Sequence, residues 1–251
     1  MFRPRIIPVL LLNQDHLVKS TRFKNYNYIG DPINAVKIFN EFKADELVFL
    51  DISASKNKRL INIQLVQEIG EEANMPFCVG GGITKLSDIA QLIAAGAEKV
   101  IIGSEAAINP GFIKEATNEF GTSTIAVCMD VKSSFLKKQK VWYLNATEST
   151  KYTPLDFAKL MEDNGAGELI IQSVDNDGRM AGYDLPLVNE ISSQVKIPTI
   201  ALGGAGNIQH LKEGYLKGHA TGLAAGSMFV YIGSHKGVLI NYLENRVNFY
   251  D

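Results

Sequence analysis

The chain has 251 residues, 46% of them hydrophobic, which is enough to bury a sizeable core. Its formal charge of −2 supplies no field for nucleic acid or an anionic membrane surface, so neither is expected as a partner. No apolar run approaches the roughly 20 residues of a bilayer span, the opening MFRPRIIPVL lacks a signal-like region, and a cytoplasmic location is expected.

In chain order, apolar runs bounded by glycine, proline and polar turns give eight strand candidates: Arg5 to Leu11, Leu47 to Asp51, Phe77 to Val79, Lys99 to Ile102, Thr124 to Asp130, Leu169 to Ser173, Thr199 to Leu202 and Gly222 to Ala225. Helical patterns alternate with them. Eight parallel strands with seven crossovers and a closing helix make a single (β/α)8 TIM barrel over residues 1–251, with function at the carboxyl ends of the strands. The stretch Asn13 to Asp31 is long and polar, carries Lys19, Arg22 and Lys24, and is expected to be either a lid loop or a solvated connector. Lys132 to Thr153 reads as a hairpin excursion after the fifth strand. Cys78 and Cys128 fall inside strands, where buried thiols of a reducing compartment are expected. His16, His210, His219 and His235 show no ligand spacing, and neither a metal nor another cofactor is expected.

Two glycine-marked turns organise the rest. PFCVGGGITKLSDIAQLIAAGAEKVIIGSEAA, from Pro76, runs strand, Gly80-Gly81-Gly82 turn, helix, strand and Gly103-Ser104. PTIALGGAGNIQHLKEGYLKGHATGLAAGSMF, from Pro198, repeats the plan with Gly203-Gly204 and Gly226-Ser227, and the two prolines lie 122 residues apart. ADELVFLD and AGELIIQS repeat at the same separation, placing Glu46 opposite Glu168 and dividing the chain into half-barrels of about 1–120 and 121–251. Glycine turns that open helices can cradle anions, because backbone N–H groups close on the ligand where the helix presents its positive end. Two such cradles point to a small molecule with a phosphate at each end.

RIIPVL, DELVFLDISAS, FCVGGGI, AGAEKVIIGSEAAINP, AVCMDVK, GAGELIIQSVDNDGRMAGYD and ALGGAGN together resemble, over essentially the whole chain, the cyclase subunit family of imidazole-glycerol-phosphate synthase. The sister isomerase of histidine biosynthesis shares the doubled phosphate barrel, but GAGELIIQSVDNDGRMAGYD is more similar to the cyclase. The resemblance implies a lyase-type cyclisation of a bisphosphorylated ribulosyl aminoimidazole carboxamide, with ammonia passed through the barrel from a glutaminase subunit bound at its amino-terminal face. It implies two catalytic aspartates, ending the first and fifth strands, for general acid and base work. Asp130 matches the second, whereas Leu11 stands at the position of the first. The same likeness assigns Lys19, Asp51 and Asp177 to the substrate, with turn capping as the alternative role of the two aspartates. Gly82 and Ser104 fall to one phosphate, and Gly178, Gly204, Gly226 and Ser227 to the other. The family usually has asparagine where this chain has Gly103, and an alanine-serine pair near Gly226-Ser227.

Side chains two apart along a strand share a face. With Leu11 inward, Arg5 lies at the opposite mouth, where the same count places Glu46, Lys99 and Glu168. Such a ring has a stabilising role in barrels generally, and in the resembling family it is the ammonia gate. A chain that keeps the gate but lacks one acid has two readings. It is a cyclase with activity in doubt, or a paralogue that stimulates a glutaminase and passes ammonia to a sugar-amidating enzyme of surface polysaccharide synthesis.

Overall fold

The computed structural model describes residues 3–134, 138–233, 235–243, 247 and 249. Its elements follow in the order β1 (Arg5–Asn13), β2 (His16–Thr21), β3 (Lys24–Gly30), α1 (Pro32–Glu41), β4 (Leu47–Asp51), α2 (Ile63–Glu72), β5 (Phe77–Gly80), α3 (Leu86–Ala94), β6 (Lys99–Ile102), α4 (Ser104–Ile108) and α5 (Gly111–Phe120). After these come β7 (Ile125–Ser133), β8 (Gln139–Tyr143), β9 (Glu148–Ser149), α6 (Pro154–Asp163), β10 (Glu168–Ser173), α7 (Leu185–Ser192), β11 (Thr199–Leu202), α8 (Ile208–Leu216), β12 (Gly222–Ala225), β13 (Tyr231–Ile232) and β14 (Gly237–Val238). Parallel pairing in the order β1, β4, β5, β6, β7, β10, β11, β12 and back to β1 closes an eight-stranded barrel. Each of the eight expected strands is present.

Local chemistry sets the helix starts. Asp31 and Thr153 each accept a bond from a backbone N–H in the first turn and are followed by Pro32 and Pro154, so α1 and α6 begin with the same cap and proline 122 residues apart. The doubled plan extends further, since β5 and α3 recur as β11 and α8 with the identical offset. Inward-facing Ile7, Val48, Ile101, Ala126, Ile170 and Ile200 fill the barrel, while a larger apolar layer holds the helices to its outside. Among the described residues no helix is long and apolar enough to cross a membrane.

Three expectations change. Asn13 to Asp31 is a β-hairpin rather than a loop: β1 runs past Leu11 and pairs antiparallel with β2, which pairs with β3. The polar composition hid this because β3 exposes five of its seven residues, leaving no buried alternation to read. Among the described residues no α-helix follows β12; a 3-10 turn at Ser227–Phe229 and the small β13–β14 hairpin take its place. The excursion after β7 is present as β8 and β9, with 135–137 of the Lys132 to Thr153 stretch outside the described residues.

Candidate functional site

At the carboxyl ends of the barrel strands a cavity of about 410 Å³ opens, within the size range of small-molecule sites. It brings together all the residues expected at that face: Leu11, Lys19, Asp51, Gly82, Ser104, Asp130, Asp177, Gly178, Gly204, Gly226 and Ser227. Leu11 belongs to its wall, held in register by pairing with Leu50 on one side and Val18 on the other. Asp15 does not fill the missing acid's place. It is exposed, and its Oδ1 accepts from Asn62 Nδ2 at 3.1 Å. Cys128, expected to be buried, is only partly so and faces the cavity, with Sγ 4.0 Å from Asp130 Oδ1. β7 carries it on the inward face, two residues before Asp130.

Burial pushes the Asp130 carboxyl up to about 7, and the charge of Asp177 adds to the effect. A carboxyl titrating there can both give and take a proton near neutrality. The native state then binds more protons than the unfolded chain between about pH 4 and 7, so the stability this group contributes is present at low pH and lost as pH rises through that window. Urea unfolding at pH 4.5, 6 and 8 should show the native protein losing about 1–3 kcal/mol relative to Asp130→Asn. Parallel pH profiles would mean that the carboxyl is ordinary.

Lys19 is the largest local surprise. A lysine in a polar stretch reads as solvated, yet on β2 it is only 4% exposed. Its Nζ donates to the Val9 carbonyl at 2.5 Å, and burial pulls the ammonium down to about 8 against the raising influence of Asp177. Gly226 makes room for it, since a Cβ there would stand 2.3 Å from Lys19 Nζ. Asp177 ties the hairpin down by accepting from Ser20 Oγ at 3.0 Å and the Phe23 N–H at 3.4 Å. Burial raises its carboxyl above the ordinary range, partly offset by Ser20 and Lys19.

Asp51 does what turn capping would ask. One oxygen accepts from Ser53 N–H, Ser53 Oγ and Ala54 N–H, and the other pairs with Arg59 at 2.6 Å. Sequence reasoning missed Arg59, which holds this turn under the first glycine cradle. Gly82 sits at φ +71°, and a Cβ there would fall 1.8 Å from the Arg59 carbonyl. Gly82→Ala is therefore expected to displace the Arg59 turn and lower stability by about 2–4 kcal/mol. Calorimetry would check it, and a melting temperature unchanged within a degree or two would count against the close fit.

At the opposite mouth, Arg5, Glu46, Lys99 and Glu168 do meet. Arg5 pairs with Glu168 and, at 2.5 Å, with Glu46; Lys99 lies 3.1 Å from Glu168 and 4.0 Å from Glu46. Burial works against both cations, but the two glutamates outweigh it and hold Arg5 and Lys99 above their ordinary values. Cys78 Sγ donates to Glu46 at 3.0 Å, and burial beside that carboxylate pushes the thiol well up. Among the described residues no cluster of His, Cys, Asp or Glu is arranged to hold a metal.

The sequence pattern of the histidine biosynthesis proteins matches residues 5–236. The chain belongs to that family. A Leptospira borgpetersenii protein, provisionally named imidazole glycerol phosphate synthase subunit HisF, is 45% identical over 96% of both chains. A Pseudomonas aeruginosa protein with the provisional name hisF2, of the same synthase, is 40% identical over 96% of both. The imidazole glycerol phosphate synthase subunit HisF of Alkaliphilus metalliredigens is 38% identical over 92% of both. Within the histidine biosynthesis family the chain is thus HisF-like, in agreement with the resemblance of its strand-end motifs.

Proposed function

We propose that this chain is the cyclase-type subunit of a glutamine-dependent amidotransferase complex. It receives ammonia from a glutaminase subunit on its amino-terminal face and binds a bisphosphorylated ribulosyl aminoimidazole carboxamide at the other. The observation that carries this reading is the alignment of three features along one axis: the ion-paired ring, the apolar column of Ile7, Val9, Val48 and Ile101, and the glycine-lined cavity. An apolar column passes neutral ammonia, while ammonium would pay the cost of losing its hydration. At the exit Asp130 supplies a carboxyl that can exchange a proton near neutrality. The glycine turns offer backbone N–H donors to phosphate, and Lys19 adds a cation beside Gly226.

One observation favours a second reading, in which the barrel stimulates the glutaminase but delivers ammonia to a separate sugar-amidating enzyme of surface polysaccharide synthesis. Leu11 occupies the cavity wall where ring closure needs its second acid, and Asp15, the acid nearest to it along the chain, is exposed and turned to Asn62 instead. Delivery and anion binding survive such a loss; proton transfer between nitrogens does not.

Reconstitution with the host's glutaminases separates the two. Stimulated glutamine hydrolysis together with ring closure would support the cyclase. Stimulation with no turnover of the bisphosphorylated substrate, in glutamine or in ammonium salts, would support delivery. Failure of every glutaminase to respond would overturn both.

A further inference from the structure

Two excursions overhang the cavity, one from the end of β1 and one from the end of β7. At the tip of the first, Arg22 and Phe23 adopt left-handed backbone, φ 53° and 59°. At the tip of the second, Leu144 and Asn145 do the same, φ 50° and 56°, and Ala146 follows at 55°. The two tips are 122 residues apart, the offset of the glycine turns, yet share no residue type. Their correspondence is one of backbone alone. Left-handed conformations are costly for residues with a Cβ, and they persist where surrounding contacts impose them.

The contacts differ at each tip but serve the same end. Arg22 N–H donates to the Asp177 carbonyl at 3.1 Å and Phe23 N–H to the Asp177 carboxylate, which fastens the first tip beside Gly178. The second tip is fastened at the other cradle. Asn145 Nδ2 donates to the Ile52 carbonyl at 2.7 Å, just past the end of β4, and Leu144 N–H donates to Ser104 Oγ at 3.2 Å. Thr147 Oγ1 and Lys132 Nζ secure the carbonyls of Leu144 and Ala146.

The bond to Ser104 has a directional consequence. Its hydroxyl oxygen accepts from Leu144, and among the described residues no group accepts the hydroxyl hydrogen. Ser104 is only partly buried and lines the cavity near the Gly81-Gly82 turn. A hydroxyl fixed in this way offers a donor, which suits an anion. We propose that the Leu144–Asn145 tip is a positioning clamp for the first cradle: the Leu144 N–H sets Ser104 as a hydrogen-bond donor to a phosphate group, and Asn145 anchors the tip through Ile52. This deepens the preceding reading and rests on its claim that the cavity takes a phosphorylated ligand.

The test is a titration of the full chain with inorganic phosphate, followed by the backbone amide resonances of Gly82 and Gly103, which report this cradle and not the opposite one. Ser104→Ala should weaken phosphate here about tenfold, the low end for one hydrogen bond to a charged group. Leu144→Pro removes the donor and, with its φ held at about −65°, the left-handed turn as well, so it should weaken phosphate at least as much as Ser104→Ala, and adding Ser104→Ala to it should bring no further loss. Should the proline variant fail to fold, Asn145→Gly replaces it. That change cuts the anchor, and its loss of affinity should vanish in the Ser104→Ala background. Native binding that Ser104→Ala and the tip variants leave unchanged would overturn the clamp alone. Absence of any saturable phosphate response in the native chain would overturn both the clamp and the phosphate reading beneath it.

Discussion

Leu11→Asp is expected to raise the rate of ring closure on the bisphosphorylated ribulosyl aminoimidazole carboxamide, with ammonium salt as nitrogen source, by about 10²- to 10⁴-fold, the usual contribution of one general acid or base. The placement is favourable. Leu11 shares the cavity with Asp130, and β1 is pinned at that point by neighbours on both sides, so the new carboxyl would be held in place by the strand. It would enter an apolar wall that includes Val9 and Leu50, where ionisation is penalised, and it would push Asp130 higher still by like charge. A stability cost of about 1–3 kcal/mol should accompany the gain. Leu11→Asn is the control, because it has a similar shape and cannot exchange the proton. Equal rates for native, Asp and Asn forms, with glutaminase stimulation intact in all three, would show that position 11 takes no part in the chemistry.

Glu168→Ala should be the most destabilising change at the opposite mouth. Glu168 accepts from both Arg5 and Lys99, so its removal leaves two partly buried cations with Glu46 as their remaining partner in the ring. Breaking one member out of a buried charge network costs about 3–5 kcal/mol, more than the intact network contributes, because the partners stay desolvated. For a chain of this length each kcal/mol moves the midpoint by about 2–4 °C, so thermal unfolding should shift down by roughly 6–20 °C. In the amidotransferase reading the variant should also blunt the glutaminase response, since the ring lies at the face proposed for that partner. A shift under about 2 °C would mean the ring behaves as ordinary surface charge.

Sequence periodicity accounted for the barrel because parallel strands buried on both faces read as short continuous apolar runs, and glycine turns at a fixed offset exposed the doubling. The ring at the amino-terminal mouth was legible for a related reason: alternation along a strand is strict, so counting back from Leu11 to Arg5 fixes which face each residue occupies. What failed were inferences from polarity. Lys19 looked solvated, but a two-residue turn at Gln14-Asp15 folds β2 back on β1 and tucks the ammonium against Val9 and Gly226. Arg59 carried no signal of its role, since it reaches Asp51 only through the turn that passes beneath Gly82.

The residues by themselves determined the strand order, the two glycine turns, the apolar side chain at position 11 and the charges at the far mouth, because these follow from local pattern and repeat. The tertiary structure alone decided that Lys19 is buried, that Arg59 closes the turn capped by Asp51, and that the tips at Phe23 and Asn145 correspond in backbone, because those facts depend on how the chain folds back on itself and not on a repeating local pattern.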